Sequence, residues 1–151
     1  MNISIIGPEG AGKTTFANSR AKELRGTRPV YFLGKKKSEF PPIRLQDLHA
    51  VRNAVVIIDD ANAFLESIDV YNRNLRLKEP FVLHRENNVV FIGIFHSFDD
   101  AVKYFFRQSR YVYVSGLYKD SHYLKNKFIR GIEPVEVYYN KKFPFYSFKR
   151  Y

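Results

Sequence analysis

The stretch Ile3-Ser4-Ile5-Ile6-Gly7-Pro8-Glu9-Gly10-Ala11-Gly12-Lys13-Thr14-Thr15 decides how the chain is read. It is an apolar run, then the spacing G-x-x-x-x-G-K-[ST], then the amphipathic segment Phe16 to Leu24. Strand, glycine loop and helix in that order are what a phosphate cradle needs. Gly7 and Gly12 permit the backbone turns that aim successive amides inward, and the new helix adds its positive N-terminal end. On this pattern Gly7, Pro8, Glu9, Gly10, Ala11, Gly12, Lys13, Thr14 and Thr15 are expected to hold ATP. Lys13 would reach the β- and γ-phosphates, and the Thr14 hydroxyl would hold Mg²⁺.

Working outward, Asn2 to Ile6 reads as a strand apolar on both sides, and so central in a parallel sheet. A helix is expected from Lys13 to about Arg25, with Phe16, Ala17, Ala21 and Leu24 on one stripe and Gly26 just past its end. Val30 to Leu33 is a short strand closed by Gly34. Lys35-Lys36-Lys37 then lies in a loop ending at Pro41-Pro42, where the lysines can touch a phosphate backbone or simply remain solvated. Ile43 to Asn53 reads as a short helix or turn.

The second informative stretch is Ala54-Val-Val-Ile-Ile-Asp59-Asp60. Four β-branched residues make a buried strand, and two carboxylates stand at its C-terminal end, where open α/β sheets bind ligands. Asp59 is expected in the Mg²⁺ shell through water, and Asp60 as the base that polarises an attacking water. Asp60 also suits the N-cap of the helix that follows. That helix is expected over Ala61 to about Leu77, with Phe64, Leu65, Ile68, Tyr71 and Leu75 inward and Pro80 beyond its end.

Val89 to Phe95 is a further strand, ending in His96 at the same edge. The helix start at Phe98, the strand Tyr111–Val114, a helix from Ser121 to about Arg130 and an outer strand Pro134–Tyr139 continue the alternation. A P-loop α/β sandwich with a mostly parallel central sheet follows. It is expected to occupy residues 1–151 as a single domain. If the Asp59 strand lay beside the P-loop strand, Lys13, Thr14, Asp59 and His96 would meet at one edge.

Composition bounds the function classes. There are 151 residues and no cysteine, so disulfide staples and thiolate metal sites are excluded. No apolar run is long enough to span a bilayer, and the opening strand is not a cleavable signal, which suggests a cytoplasmic protein. The net charge is +10, and residues 101–151 carry 11 basic against 3 acidic side chains. That asymmetry favours a polyanionic partner, with nucleic acid ahead of an anionic membrane. The basic, aromatic tail from residue 134 to 151 is read most simply as completing the sheet.

Together the Gly7–Thr15 loop, the strand ending in Asp59-Asp60, and His84-Arg85 ahead of a strand with a polar end resemble the FtsK–HerA superfamily. The small size is similar to the genome-packaging ATPases of tailless membrane-containing viruses and phages, and to the zonula-occludens-toxin-like assembly ATPases of filamentous phages. The resemblance covers residues 1 to about 115. It implies a Mg²⁺-dependent ATPase (a RecA/FtsK–HerA-like hydrolase) that forms a ring, a pentamer or hexamer, and drives double-stranded viral DNA into a capsid. That implies host cytoplasm or the packaging vertex, with capsid or viral membrane proteins as further partners. It also implies an arginine finger acting on a neighbour's nucleotide: Arg85 matches by position, with Arg73, Arg107 and Arg110 as rivals. In the superfamily the strand-end polar residue is commonly glutamine, a γ-phosphate sensor; here His96 stands there. A small nucleotide or nucleoside kinase and a non-catalytic nucleotide-sensing docking module are the competing readings.

Overall fold

In a computed structural model, residues 2–7, 9–64, 75–96, 105, 109–116, 135–139 and 145–148 are described. The first strand, β1 (Asn2–Ile6), feeds the glycine loop and helix α1 (Lys13–Arg25). Then come β2 (Val30–Leu33), a 3₁₀-helix (Leu45–Ala50), β3 (Ala54–Ile58), α2 (Leu75–Val82), β4 (Val89–Phe95), β5 (Ser109–Gly116), β6 (Val135–Tyr139) and β7 (Phe145–Phe148). The seven strands form one sheet in the order β2-β3-β4-β1-β5-β6-β7. Every pairing is parallel except β6 with β7.

The apolar runs explain the centre of this sheet. Every residue of β1, β3 and β4 is buried, as expected of parallel strands covered on both faces. On one face Ile3, Ile5, Val55, Ile57, Val90, Ile92 and Ile94 pack with Ala17 and Ala21 of α1, and Phe16 and Leu24 border them. The two alanines let α1 approach the sheet closely. Arg28 folds back to the carbonyl of Leu24 at the helix end, while Lys22 and Arg25 in the last turn oppose the helix dipole.

On the other face Val56, Ile58, Val89 and Phe91 pack with Leu48 of the 3₁₀-helix, Phe81 of α2, and Phe105. The Phe81 ring lies 4.7 Å from Phe91 and 5.6 Å from Phe105, centre to centre. Rings of this size each contribute roughly 2–3 kcal/mol by burial. The sheet is therefore a middle layer between α1 and the Leu48–Phe81–Phe105 side.

Four expectations need correction. First, β3 is not beside β1; β4 lies between them, pairing Ile5 with Ile94 on one side and Ile57 with Ile92 on the other. Local periodicity marks strands but says nothing of their order. Second, Pro80 is inside a helix, and that helix runs to Val82 instead of ending near Leu77. Proline removes one amide, yet the next turn closes through the Leu83 amide on the Glu79 carbonyl at 2.9 Å. Residues 61–64 begin a helix as expected, while Leu65, Ile68 and Tyr71 lie outside the described residues.

Third, β1 is not apolar on both faces. Buried Asn2 donates to the Phe81 carbonyl at 3.2 Å, and Ser4 shares a 2.6 Å hydrogen bond with Ser109. Alternation puts both on the Ile6 side, where the Asn2 amide nitrogen and the Ser4 hydroxyl find partners while the buried Asn2 Oδ1 has none. Fourth, the 135–139 strand is not outermost, because β7 pairs antiparallel along it. The tail thus completes the sheet, as its simplest reading held. The helix expected at Ser121–Arg130 and the rest of the helix from Phe98 lie outside the described residues.

Candidate functional site

The C-terminal ends of the parallel strands carry the site. β1 ends at Ile6 and the chain turns at once, tied down by the Gly7 amide on the Phe95 carbonyl at 3.3 Å. Gly10 and Gly12 adopt φ of 73° and 95°. Those left-handed values are strained for any side-chain-bearing residue. A Cβ built on Gly10 would meet nothing within 4 Å, so the turn opens onto free space. Pro8 lies outside the described residues.

Helix α1 begins with Gly12 as its cap and no side-chain cap, and its first turn holds no acidic residue. A helix start of this kind favours an anion. Lys13 is buried, at 6% exposure. Burial pushes its ammonium pKa down, Lys36 pushes the same way, and the Asp59 and Glu9 charges oppose them. A desolvated cation at a helix start that has no side-chain cap and no acidic first turn suits a strongly charged anion. Glu9 and Thr15 are exposed, while Ala11 is buried under the loop.

The strand order explains how Asp59 reaches this loop although its strand is two places from β1. Helix α1 lies chiefly across β3 and β4. Its first turn therefore stands above the end of β3, with the Thr14 hydroxyl 3.5 Å from Asp59 Oδ1. Asp59 is itself buried, and its amide bonds the Leu33 carbonyl at 2.9 Å. A hydroxyl and a carboxylate are hard oxygen donors that suit Mg²⁺, which keeps waters and phosphate oxygens in its remaining positions. The residues present fit that ion. Among the described residues no group of three or more His, Cys, Asp or Glu side chains gathers as a metal cage.

Asp60 follows in a left-handed conformation with φ of 49°. That backbone departs from the extended form usual at an N-cap, though its carbonyl still accepts from the Ala63 amide at 3.0 Å. The Asp60 carboxylate is half exposed and 3.8 Å from His96 Nε2. His96 itself is exposed at the end of β4, between the P-loop strand and the acidic strand. Lys13, Thr14, Asp59, Asp60 and His96 thus occupy one edge.

Arg85 does not join them. It is exposed in the turn before β4, at the opposite edge of the sheet. The seven residues of β4 separate it from His96 by about 20 Å at a strand's rise per residue. Arg110 is also exposed and pairs in register with Ile3, away from the loop. Arg73 and Arg107 lie outside the described residues.

Two neighbours of the site were not expected. Gly34 abuts Asp59, because a Cβ there would stand 3.0 Å from the Asp59 Cβ and 2.7 Å from the Phe32 ring. Lys36 lies near enough for its charge to act on Lys13. The glycine closing a strand and the lysine run were visible in the sequence, but their distance from Asp59 was not. Comparison with protein-family models and with curated proteins finds no match. Among the described residues no helix is long and apolar enough to cross a membrane.

Proposed function

We propose that the chain is a Mg²⁺-dependent ATPase of the P-loop class, with a RecA/FtsK–HerA-like fold. The observation that carries this reading is the approach of Thr14 to Asp59 beneath a loop opened by Gly10 and Gly12. A generic glycine turn has no reason to bring a hydroxyl and a buried carboxylate together next to a buried lysine. In the proposed site the loop amides and Lys13 hold the β- and γ-phosphates. Thr14 and Asp59 hold Mg²⁺, which when bound supplies charge neutralisation at the phosphates. Asp60, with His96 beside it, orients and deprotonates the attacking water.

The finer proposal is a ring motor that packages double-stranded viral DNA. It is supported by the sequence resemblance and by the concentration of basic side chains in residues 101–151. The position of Arg85 bears on it too: an arginine at the far edge can serve a nucleotide only on a neighbouring chain, as a head-to-tail ring supplies. Contacts to DNA would be to its phosphates. A nucleotide kinase would use the same loop, but the acidic pair at the end of β3 favours activation of water.

The test is phosphate release from ATP by the wild-type chain and by Lys13→Ala, with and without double-stranded DNA. Loss of turnover in the variant and stimulation by DNA are expected. Equal turnover of both proteins would sink the nucleotide reading. Turnover indifferent to DNA would sink the motor, and transfer of phosphate to an added nucleoside monophosphate would make the chain a kinase.

A further inference from the structure

We propose that Lys36 binds the γ-phosphate of a nucleotide held by the Gly7–Thr15 loop of the same chain, so that the lysine loop after β2 belongs to the nucleotide site. The inference rests on the nucleotide reading above and adds to it a discriminator between triphosphate and diphosphate.

The geometry begins at Gly34. Its backbone lies against Asp59, and the Asp59 amide is bonded to the Leu33 carbonyl, so the chain leaves β2 directly beside that carboxylate. It comes back a few residues later. The Phe32 amide takes the Pro41 carbonyl at 2.8 Å, and the Ile43 amide takes the Phe32 carbonyl at 3.0 Å. Phe32 and Pro42 form a parallel bridge. Glu39 pairs with Lys22 of α1 at 2.8 Å, Lys22 sits 5.9 Å from the Phe40 ring centre, and the Phe40 amide bonds Ser38 Oγ. The outgoing limb is held beside Asp59 at Leu33 and Gly34, and the returning limb, residues 39–43, is held to α1 and to Phe32. A loop this short, held at both ends, keeps its tip over the strand ends.

That tip carries Lys35, Lys36 and Lys37, all exposed and without an ion-pair partner among the described residues. Lys36 follows Gly34 by two residues, so its Cα lies within about 7 Å of a backbone position that touches Asp59, inside the reach of a lysine side chain. An anion held by the glycine loop and Lys13 beside Asp59 is therefore within reach of a second ammonium group. Direction follows from the neighbours. Thr14 and Asp59 mark the metal and γ-phosphate end of the cradle, and Lys36 stands on the Asp59 side. The last phosphate, and not the base or ribose, is the group it meets.

The test compares binding of ATP and of ADP, each with Mg²⁺, by calorimetry for the wild-type chain and for Lys35→Ala, Lys36→Ala, Lys36→Arg and Lys37→Ala. The expected result is a loss of about five- to tenfold in ATP affinity for Lys36→Ala, the size of one charge-assisted phosphate contact. ADP affinity should change less than twofold, Lys36→Arg should restore most of the loss, and melting temperature should stay unchanged. Equal effects on ATP and ADP, or none on either, overturn the proposal. So does weakened binding of double-stranded DNA with ATP affinity intact, which would make the loop a DNA contact. If the wild-type chain itself binds neither nucleotide, the P-loop reading falls as well. That result is distinct from a silent Lys36→Ala in a chain that does bind.

Discussion

The Thr14 hydroxyl and the Asp59 carboxylate, 45 residues apart in the chain, stand 3.5 Å from one another at the edge of the sheet. Neither is positioned by the other. Thr14 is carried by the first turn of α1, and Asp59 by the end of β3, where its amide is fixed to β2. Their meeting is a consequence of α1 crossing β4 to lie over β3, and it makes the pair sensitive to small changes in either element.

Asp59→Asn keeps the shape and the backbone anchor but removes the negative charge. We expect Mg²⁺ affinity in the presence of ATP to fall by roughly 10–100-fold, as when a metal's outer carboxylate is lost. ATP binding without metal should be retained or improved, because the phosphates then meet one fewer anion beside Lys13. Titration of turnover against Mg²⁺ measures the first effect. An unchanged Mg²⁺ requirement would remove Asp59 from the metal site.

Arg85→Ala should leave ATP affinity within about twofold of wild type, since Arg85 stands about 20 Å from the loop of its own chain. On the proposed ring reading, turnover should drop by about 10³-fold or more, the scale of an arginine supplied in trans. Mixing the variant with Lys13→Ala chains provides the stricter check. Each protein supplies what the other lacks, so partial recovery of turnover is expected. Full activity of Arg85→Ala alone would move the finger to another arginine.

His84 is buried at the turn that leads into β4, where its carbonyl accepts from the Val89 amide at 2.8 Å. Burial lowers its pKa below 6.5, and neighbouring positive charge, Arg85 included, adds to the effect. The unfolded chain therefore binds a proton at His84 before the folded one does. Stability contributed by the neutral ring is complete above about pH 6.5 and is lost as pH falls from there through the folded value. Denaturant midpoints measured from pH 7.5 to 5 should fall, and His84→Gln should flatten that slope. A slope unchanged in the variant would assign the acid sensitivity elsewhere.

Gly93 sits in the middle of β4, where a Cβ would come within 2.9 Å of the Phe105 ring and 3.0 Å of the Phe95 ring. Those rings are themselves 5.9 Å apart, centre to centre, and both are buried. Gly93→Ala must displace one of them, at a cost of about 1–3 kcal/mol. Chemical denaturation reads this directly. Because β4 also carries His96 and anchors Gly7, turnover should fall alongside stability; an Ala variant as stable as wild type would show that the Phe105 ring moves freely.

Much of the fold was legible from short-range pattern. Buried strands at 2–6, 54–58 and 89–95, the helix at 13–25 with its small-residue stripe, and the closing Gly26 and Gly34 all follow from periodicity and capping, which act over a few residues. Pro80 misled because a rule about single amides was applied to a helix that packing stabilises through Phe81. Asn2 and Ser4 misled because a polar residue in an apolar run shows its partner only once distant chain arrives.

By itself the amino-acid sequence determined that a glycine loop joins a buried strand to a helix, and that two carboxylates end another buried strand. Both are local properties of backbone conformation and side-chain chemistry. Only the tertiary structure decided that β4 lies between those two strands, that α1 bridges the gap so Thr14 meets Asp59, that Arg85 stands at the far edge, and that Lys36 stands at the near one. Strand order and register depend on which apolar faces pack together across many intervening residues, and no window of sequence contains that information.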